Sequence, residues 1–292
     1  MSWICQLLCL DQHVLDSVLE ITGVRLITGS PLLEGESSAW RTRADDGSVF
    51  TLKLHWSAEH LGRFRNAEEI TSHLRSSGYP APRHVGSDRC RSGSWQLIEW
   101  VAAEPLQHPT HTILVQLLEL INRQRCAGRC SLKWTNELID SVLDGKDGHC
   151  ETASLLHYSV RSRELLDGIQ QWALAARNST SRSEDVVHFD FHPGNILVEH
   201  GDVRAVIDWD GTCSGDATFD LVTLLYYCYD NPSLRTRILT EIQEQVPVEL
   251  LRLYMAHMIL RQVDWSIRHH DAGTIDHYLT RSEHLVSDRR AR

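Results

Sequence analysis

The chain has 292 residues, 42% of them hydrophobic, which is enough to bury a sizeable core as one large domain or two lobes. Its net charge of −10 and the absence of a Lys/Arg-rich stripe exclude the phosphate-neutralising surface of a nucleic-acid binder and favour a small cationic partner. No stretch approaches the ~18 uninterrupted apolar residues of a membrane span. The start, MSWICQLLCL, has no positive n-region and its apolar run is broken by Gln6, so no secretory signal is expected. Cysteines at 5, 9, 90, 126, 130, 150, 213 and 228 are scattered, which reads as reduced thiols in the cytoplasm, and Cys126 with Cys130 lacks a matching pair for zinc.

Asp11 to Thr22 carries Val14, Leu15, Val18, Leu19 and Ile21 at helical spacing and predicts a short leading helix. Strands follow at Gly23 to Ile27, Ser38 to Arg43 and Val49 to His55, with Asp45-Asp46-Gly47 as a hairpin turn. Leu61 to Ser76 reads as a helix stopped by Gly78 and Tyr79-Pro80-Ala81-Pro82. Arg83 to Gly86 and Trp95 to Val101 add two strands, so residues 1–101 should form a five-stranded antiparallel sheet with one main helix. From Pro109 the pattern turns helical, over Ile113 to Arg125, Thr135 to Leu143 and Ser154 to Arg177, followed by a polar stretch at Asn178 to Asp185. Helices resume at Ala217 to Tyr229, Leu234 to Gln245, Val248 to His269 and Ala272 to Val286. An N-terminal lobe, 1–101, and a larger, mostly helical lobe, 102–292, make an α+β chain.

Between the two helical runs lie His188 to Val198, HFDFHPGNILV, and VIDWD at 206 to 210. Val186-Val187 leads into the first segment, Pro193-Gly194 bends it, and Ile196-Leu197-Val198 reads as a short buried strand. His200-Gly201-Asp202 is a hairpin turn, and Val203 to Ile207 returns to deliver Asp208 beside Asn195. Phosphoryl transfer needs a positioned nucleophile, divalent metal on the nucleotide phosphates, and oxygens to hold that metal. His188-x-Asp190-x-x-x-x-Asn195 has the spacing of a kinase catalytic loop. In that template Asp190 accepts a hydrogen bond from the acceptor hydroxyl, and the Asn195 amide and Asp208 carboxylate are oxygen ligands of the kind Mg²⁺ takes. No Walker A motif exists, which removes the P-loop kinases.

With His192-Pro193 in the loop and Ile207-Asp208-Trp209 on the metal strand, the chain resembles the aminoglycoside phosphotransferase and choline-kinase-like family, in its antibiotic phosphotransferase branch. The D-F-G of protein kinases is absent. The resemblance implies a bilobal protein-kinase-like fold, ATP as donor with GTP not excluded, and Mg²⁺. It makes Lys53, in the strand Val49 to Leu54, the ligand of the α/β-phosphates, held by a helix glutamate. Glu68 flanks the apolar stripe of Phe64, Ala67, Ile70 and Leu74 whereas Glu69 points further towards solvent, so Glu68 is the chosen partner. Ser37 and Ser38, in Gly35-Glu36-Ser37-Ser38, are the candidates to cover the phosphates. The Glu99 carbonyl and Val101 N–H, at the connector between lobes, are the candidates for adenine. His188 has an architectural role, and Asp220 either holds the catalytic loop or caps a helix.

On the acceptor side, Asp264, Trp265 and Asp271, with Asp276 and Glu283, offer carboxylates and an aromatic wall for ammonium or guanidinium groups. The expected activity is O-phosphorylation of a small cationic antibiotic, an aminoglycoside or a basic cyclic peptide, by a monomer or homodimer. The competing readings are a kinase of a choline, homoserine or sugar-type metabolite, a non-catalytic kinase-like binding module, and a metal hydrolase built from His188, His192, Asp190 and Asp208.

Overall fold

The computed structural model describes residues 11–32, 38–129, 131, 133–145 and 150–287. The chain forms two compact units: Met1–His108 with Gly194–Thr212, and Pro109–Pro193 with Cys213–Arg292. The first unit thus runs seven residues beyond the expected cut at 101 and takes back the segment that carries Asn195 and Asp208.

The first unit begins with α1 (Gln12–Thr22), whose Asp11 cap accepts from the His13 N–H at 3.0 Å. Gly23, at φ 73°, ends it in the left-handed conformation. That cap uses the residue where a strand was expected to start, so β1 spans Leu26–Pro31 instead. The strands β2 (Ser38–Ala44), β3 (Val49–His55), β4 (His84–Cys90) and β5 (Gly93–Glu99) complete an antiparallel sheet in the order β1-β2-β3-β5-β4. β4 continues past Gly86 to Cys90 because its second half pairs with β5 across a tight turn, Cys90 opposite Gly93.

Strand alternation decides which face each side chain joins. Phe50 and Leu52 of β3 pack with Trp95 and Leu97 of β5 against Val14 and Val18 of α1. Lys53 therefore belongs to the other face, opposite Gln96. The Gln96 amide donates to the Phe64 carbonyl of α2 (Leu61–Ser76) at 3.0 Å, which puts α2 on the lysine side of the sheet. A second, small sheet in this unit joins β6 (Glu104–Pro105) to the hairpin that carries the expected metal ligands.

The second unit supplies α3 (His111–Gln124), α4 (Trp134–Asp144), α5 (Thr152–Tyr158), α6 (Val160–Ala175) and the short strand β7 (Asp185–Val187). The hairpin of the first unit follows as β8 (Ile196–Glu199) and β9 (Asp202–Val206). Its two turn residues, His200 and Gly201, have φ of 53° and 89°, the doubly left-handed turn that matches strand twist. The chain then returns to the second unit with β10 (Cys213–Gly215), paired to β7, and with α7 (Thr218–Cys228), α8 (Pro232–Gln243), α9 (Val248–His269) and α10 (Ala272–Ser287). α9 contributes the most buried residues of any of these helices, including Leu253, Tyr254, Ile259 and Leu260. Among the described residues no helix is long and apolar enough to cross a membrane.

The helix expected over Ser154 to Arg177 is broken in two. Ser159 is extended, φ −160° and ψ 167°, and forms a capping box with Ser162: each hydroxyl accepts from the other's backbone N–H at 3.0 Å. The apolar periodicity runs through the break, so only the serine pair marks it. Ser159→Ala removes the cap of α6 and should cost about 1 kcal/mol. The expected result is a fall in Tm of about 2–4 °C in a circular-dichroism melt.

Candidate active site

The first unit holds a cluster built on β3 and on the segment after β9. Lys53 is only 8% exposed. Its Nζ lies 2.5 Å from Asp208 Oδ1 and 2.9 Å from Asp210 Oδ2. Burial works against the ammonium charge, but the two carboxylates more than offset it and hold the lysine pKa above its ordinary value. The same pairing, with His60 Nε2 at 3.8 Å, keeps Asp210 well below the usual carboxylate range despite its burial. Burial and the nearby Lys53 push His84 down to about 4, so this ring is neutral at pH 7.

Two local features aim these carboxylates. Asp208 is left-handed, at φ 66° and ψ 58°, a conformation that aspartate tolerates better than most residues. Trp209, 2% exposed, anchors the turn with its indole N–H on the Val206 carbonyl at 2.8 Å and its ring edge-on to Tyr79. The Asn195 carbonyl accepts from the Ile207 N–H at 2.9 Å, which joins the segments bearing Asn195 and Asp208. The Asn195 side chain is buried, and that of Asp208 is 46% exposed.

The second unit holds a cluster around Asp190. One carboxylate oxygen is 3.4 Å from His192 Nε2 and the other 3.4 Å from the Arg261 guanidinium. Burial would raise its pKa, but His192, Arg261 and His188 outweigh that and hold it well below the carboxylate range. The Asp190 N–H donates to His188 Nδ1 at 3.2 Å, so the fully buried histidine bonds the backbone of its own loop.

Asp220, in the first turn of α7, holds the loop from beneath. Its carboxylate accepts the His188 N–H at 2.8 Å, the Phe189 N–H at 3.0 Å and the Gln124 amide at 2.7 Å. Complete burial nevertheless pushes its pKa up to about 7. Phe189, left-handed at φ 73°, is pinned on every side. Its ring stacks on Phe219 with centroids 5.1 Å apart, Arg261 lies 5.0 Å over the ring, and Arg261 also donates to the Phe189 carbonyl.

A model of the phosphotransferase enzyme family matches residues 28–247. The chain belongs to the phosphotransferase enzyme family. It is 25% identical over 91 residues to the hygromycin-B 4-O-kinase of Escherichia coli, a match covering 31% of this chain and 26% of that protein. The fold is similar to the apo form of a thermostable mutant of aminoglycoside phosphotransferase APH(4)-Ia, with TM-score 0.67 and 17% identity over 93% of this chain and 98% of the other. It is also similar to choline kinase LicA from Streptococcus pneumoniae, with TM-score 0.68 and 12% identity over 94% and 98%. The expected kinase-like fold is that of these structures, and the expected phosphotransferase class is that of the family.

Glu68 does not reach Lys53, whose ion pairs are to Asp208 and Asp210. Ser37 lies outside the described residues, and Ser38 is the first residue of β2, paired in register with Leu54. Glu99 and Val101 line a cavity of about 580 Å³ beside the connector, together with Val49, Tyr79, Trp100 and Arg75. Lys53, Asp208 and Asp210 are not on its wall.

The acceptor candidates need correction. Asp264 is fully buried, and its carboxylate receives the Arg268 guanidinium at 2.7 and 3.0 Å, the Ser154 hydroxyl at 2.5 Å and the Glu151 N–H at 3.2 Å. No oxygen remains to meet a substrate ammonium. Asp271 caps α10, accepting from the Gly273 and Thr274 N–H groups. Trp265 is covered by His269, ring centroids 3.5 Å apart. Asp276 and Glu283 both bind Arg161 and tie α6 to α10.

Sequence reading missed Asp210, Arg261 and Tyr227, whose ring lies 5.1 Å from His192 and whose hydroxyl donates to Gln262 at 2.6 Å. Arg261 had a signal, since a guanidinium directly after the apolar Met258-Ile259-Leu260 requires a partner. Asp220→Asn keeps one acceptor oxygen and turns an NH2 towards either the Phe189 N–H or the His188 N–H and Gln124 amide, and should cost about 2 kcal/mol. Urea denaturation with unchanged m-value is the measurement that checks it.

Proposed function

We propose that this phosphotransferase uses ATP and Mg²⁺ to phosphorylate a hydroxyl of a small cationic antibiotic of the aminoglycoside type. The observation that carries the reading is the family match spanning residues 28–247 together with an intact set of Lys53, Asp190, Asn195 and Asp208. The antibiotic class is supported by the partial match to a hygromycin-B 4-O-kinase and by an acidic chain suited to a cation. A metabolite kinase is the second reading, favoured by the likeness to choline kinase LicA. Free thiols at Cys90, Cys126, Cys150, Cys213 and Cys228 support a reducing compartment and a cytoplasmic enzyme.

The donor set suits the metal, because the Asn195 amide and the partly exposed Asp208 carboxylate are both oxygen ligands. When bound, Mg²⁺ neutralises charge on the nucleotide phosphates. Lys53 adds a point charge for the α/β-phosphates. The Glu99 carbonyl and Val101 N–H take the adenine edge, and Ser37 and Ser38 cover the phosphates.

Asp190 is the catalytic carboxylate. Flanked by His192 and Arg261 it stays ionised, and its basicity is too low to remove a hydroxyl proton early. Its work is to accept a hydrogen bond from the acceptor hydroxyl, aim the oxygen, and take the proton as the new bond forms.

Asp190→Ala should lower kcat at least ~10²-fold while nucleotide binding is kept, and near-normal turnover would remove Asp190 from the reaction. Arg261→Gln takes away one of the cations that depress the Asp190 pKa. Since protonated Asp190 is inactive, the acid limb of kcat/KM should move to higher pH in that variant, and an unmoved limb would show that Arg261 does not govern this carboxylate.

The class of acceptor is tested by mass spectrometry after incubation with ATP, Mg²⁺ and a panel of aminoglycosides, basic peptides, choline and homoserine. Phosphate gained by an aminoglycoside with wild-type chain and not with Asp190→Ala is the expected result. Phosphate gained by choline or homoserine alone would replace it with the metabolite reading.

A further inference from the structure

The carboxylate that holds Lys53 is not on α2. We propose that Asp210, two residues beyond Asp208, is the positioning residue for the phosphate-binding lysine of this chain. The inference rests on the reading of Lys53 as a nucleotide ligand and gives to Asp210 the part that a helix glutamate plays in the resembled family.

Lys53 Nζ has two carboxylate partners, at 2.5 Å on Asp208 and 2.9 Å on Asp210. A lysine that depended on Asp208 alone would lose its partner whenever Asp208 turned to a metal ion. Asp210 has no such second duty. Its side chain is 13% exposed against 46% for Asp208, and a carboxylate taken out of water is kept only where a cation compensates it. Lys53 is that cation, with His60 as the next neighbour at 3.8 Å. The other oxygen, Oδ1, is buried and has no hydrogen-bond partner among the described residues. Asp210 therefore caps no helix and anchors no strand.

The backbone keeps Asp210 on station. Trp209, packed under Tyr79 and bonded to the Val206 carbonyl, fixes the residue before it. On the far side, Asn66 of α2 donates to the Thr212 carbonyl at 2.9 Å and closes the turn onto the helix. α2 thus supports Lys53 through Asn66 and its preceding residue His60, which stacks on His55 with centroids 3.8 Å apart. Glu68, on the same helix, forms no ion pair with the lysine.

The chain has three lysines, at 53, 133 and 146, so amine chemistry resolves Lys53 cleanly. Full-length protein would be acetylated with sulfo-NHS-acetate and the rates read by peptide mass spectrometry, with Lys133, which is exposed, as the reagent control. Asp210→Asn is expected to speed Lys53 acetylation, because the ammonium loses one of the two carboxylates that hold it, with Lys133 unchanged. Glu68→Gln should leave the Lys53 rate where it was. In calorimetric titration with ATP and Mg²⁺, Asp210→Asn should weaken binding about tenfold and Glu68→Gln less than ~twofold.

Wild-type rates and affinity in Asp210→Asn, or the loss appearing in Glu68→Gln instead, would overturn the proposal. If Asp210→Asn alone folds poorly, Lys53→Met/Asp210→Asn decides the matter by urea denaturation. A coupled pair leaves the double variant no less stable than either single, whereas additive costs would show that the two side chains act independently. A wild-type chain that binds no ATP would overturn the nucleotide reading itself. The acetylation contrast needs no nucleotide, so that failure is told apart from a failure of the Lys53–Asp210 pairing.

Discussion

The loop that carries Asp190 depends on one buried carboxylate. Asp220 faces three donors, two of them the consecutive N–H groups of His188 and Phe189, and no water is needed to satisfy them. Consecutive amides can converge on a single acceptor only if the chain turns sharply between them, and Phe189 makes that turn in a left-handed conformation. Such strain in a bulky residue persists only where the surroundings over-determine it. Phe219, His257 and Arg261 enclose the ring, and Arg261 binds the carbonyl that follows. The orientation of Asp190, the next residue, is the product of all these contacts.

The first unit solves a related problem with opposite charge. Lys53 is an ammonium taken out of water on a sheet, and two aspartates two residues apart compensate it. A left-handed Asp208 and an anchored Trp209 let both side chains turn to the same ammonium. The consequence is a lysine that is charged and held at a defined place without a carboxylate from α2. Exposure separates the pair: Asp208 remains accessible to a ligand, and Asp210 is left to the lysine.

Acidic side chains do not make a cation site by being acidic. Asp264, Asp276 and Glu283 were each attractive in the sequence, and each is bound to an arginine within the helical unit. Arg161 alone joins α6 to two carboxylates of α10. The chain has 29 Lys and Arg residues against 39 acidic ones, so many of its carboxylates find a cation inside the fold before any substrate arrives.

The sequence by itself determined what depends on short spacing. α2 and α9 begin and end where apolar periodicity and flanking breakers put them, and the His200-Gly201 turn follows from two residues that accept positive φ. The spacing of Asp190, Asn195 and Asp208 could also be read, because a loop and a hairpin are local. The break at Ser159 was hidden under continuous periodicity, though its serine pair was there to see. What only the tertiary structure decided is the fate of each charge. Asp210 rather than Glu68 meets Lys53, Arg261 comes 71 residues along the chain to flank Asp190, and Asp264 disappears against Arg268. Periodicity reports the face on which a side chain leaves its own element. Whether a carboxylate is a ligand, a partner or a cap depends on which cation or N–H from a distant element arrives within about 4 Å, and that distance exists only after the elements have packed.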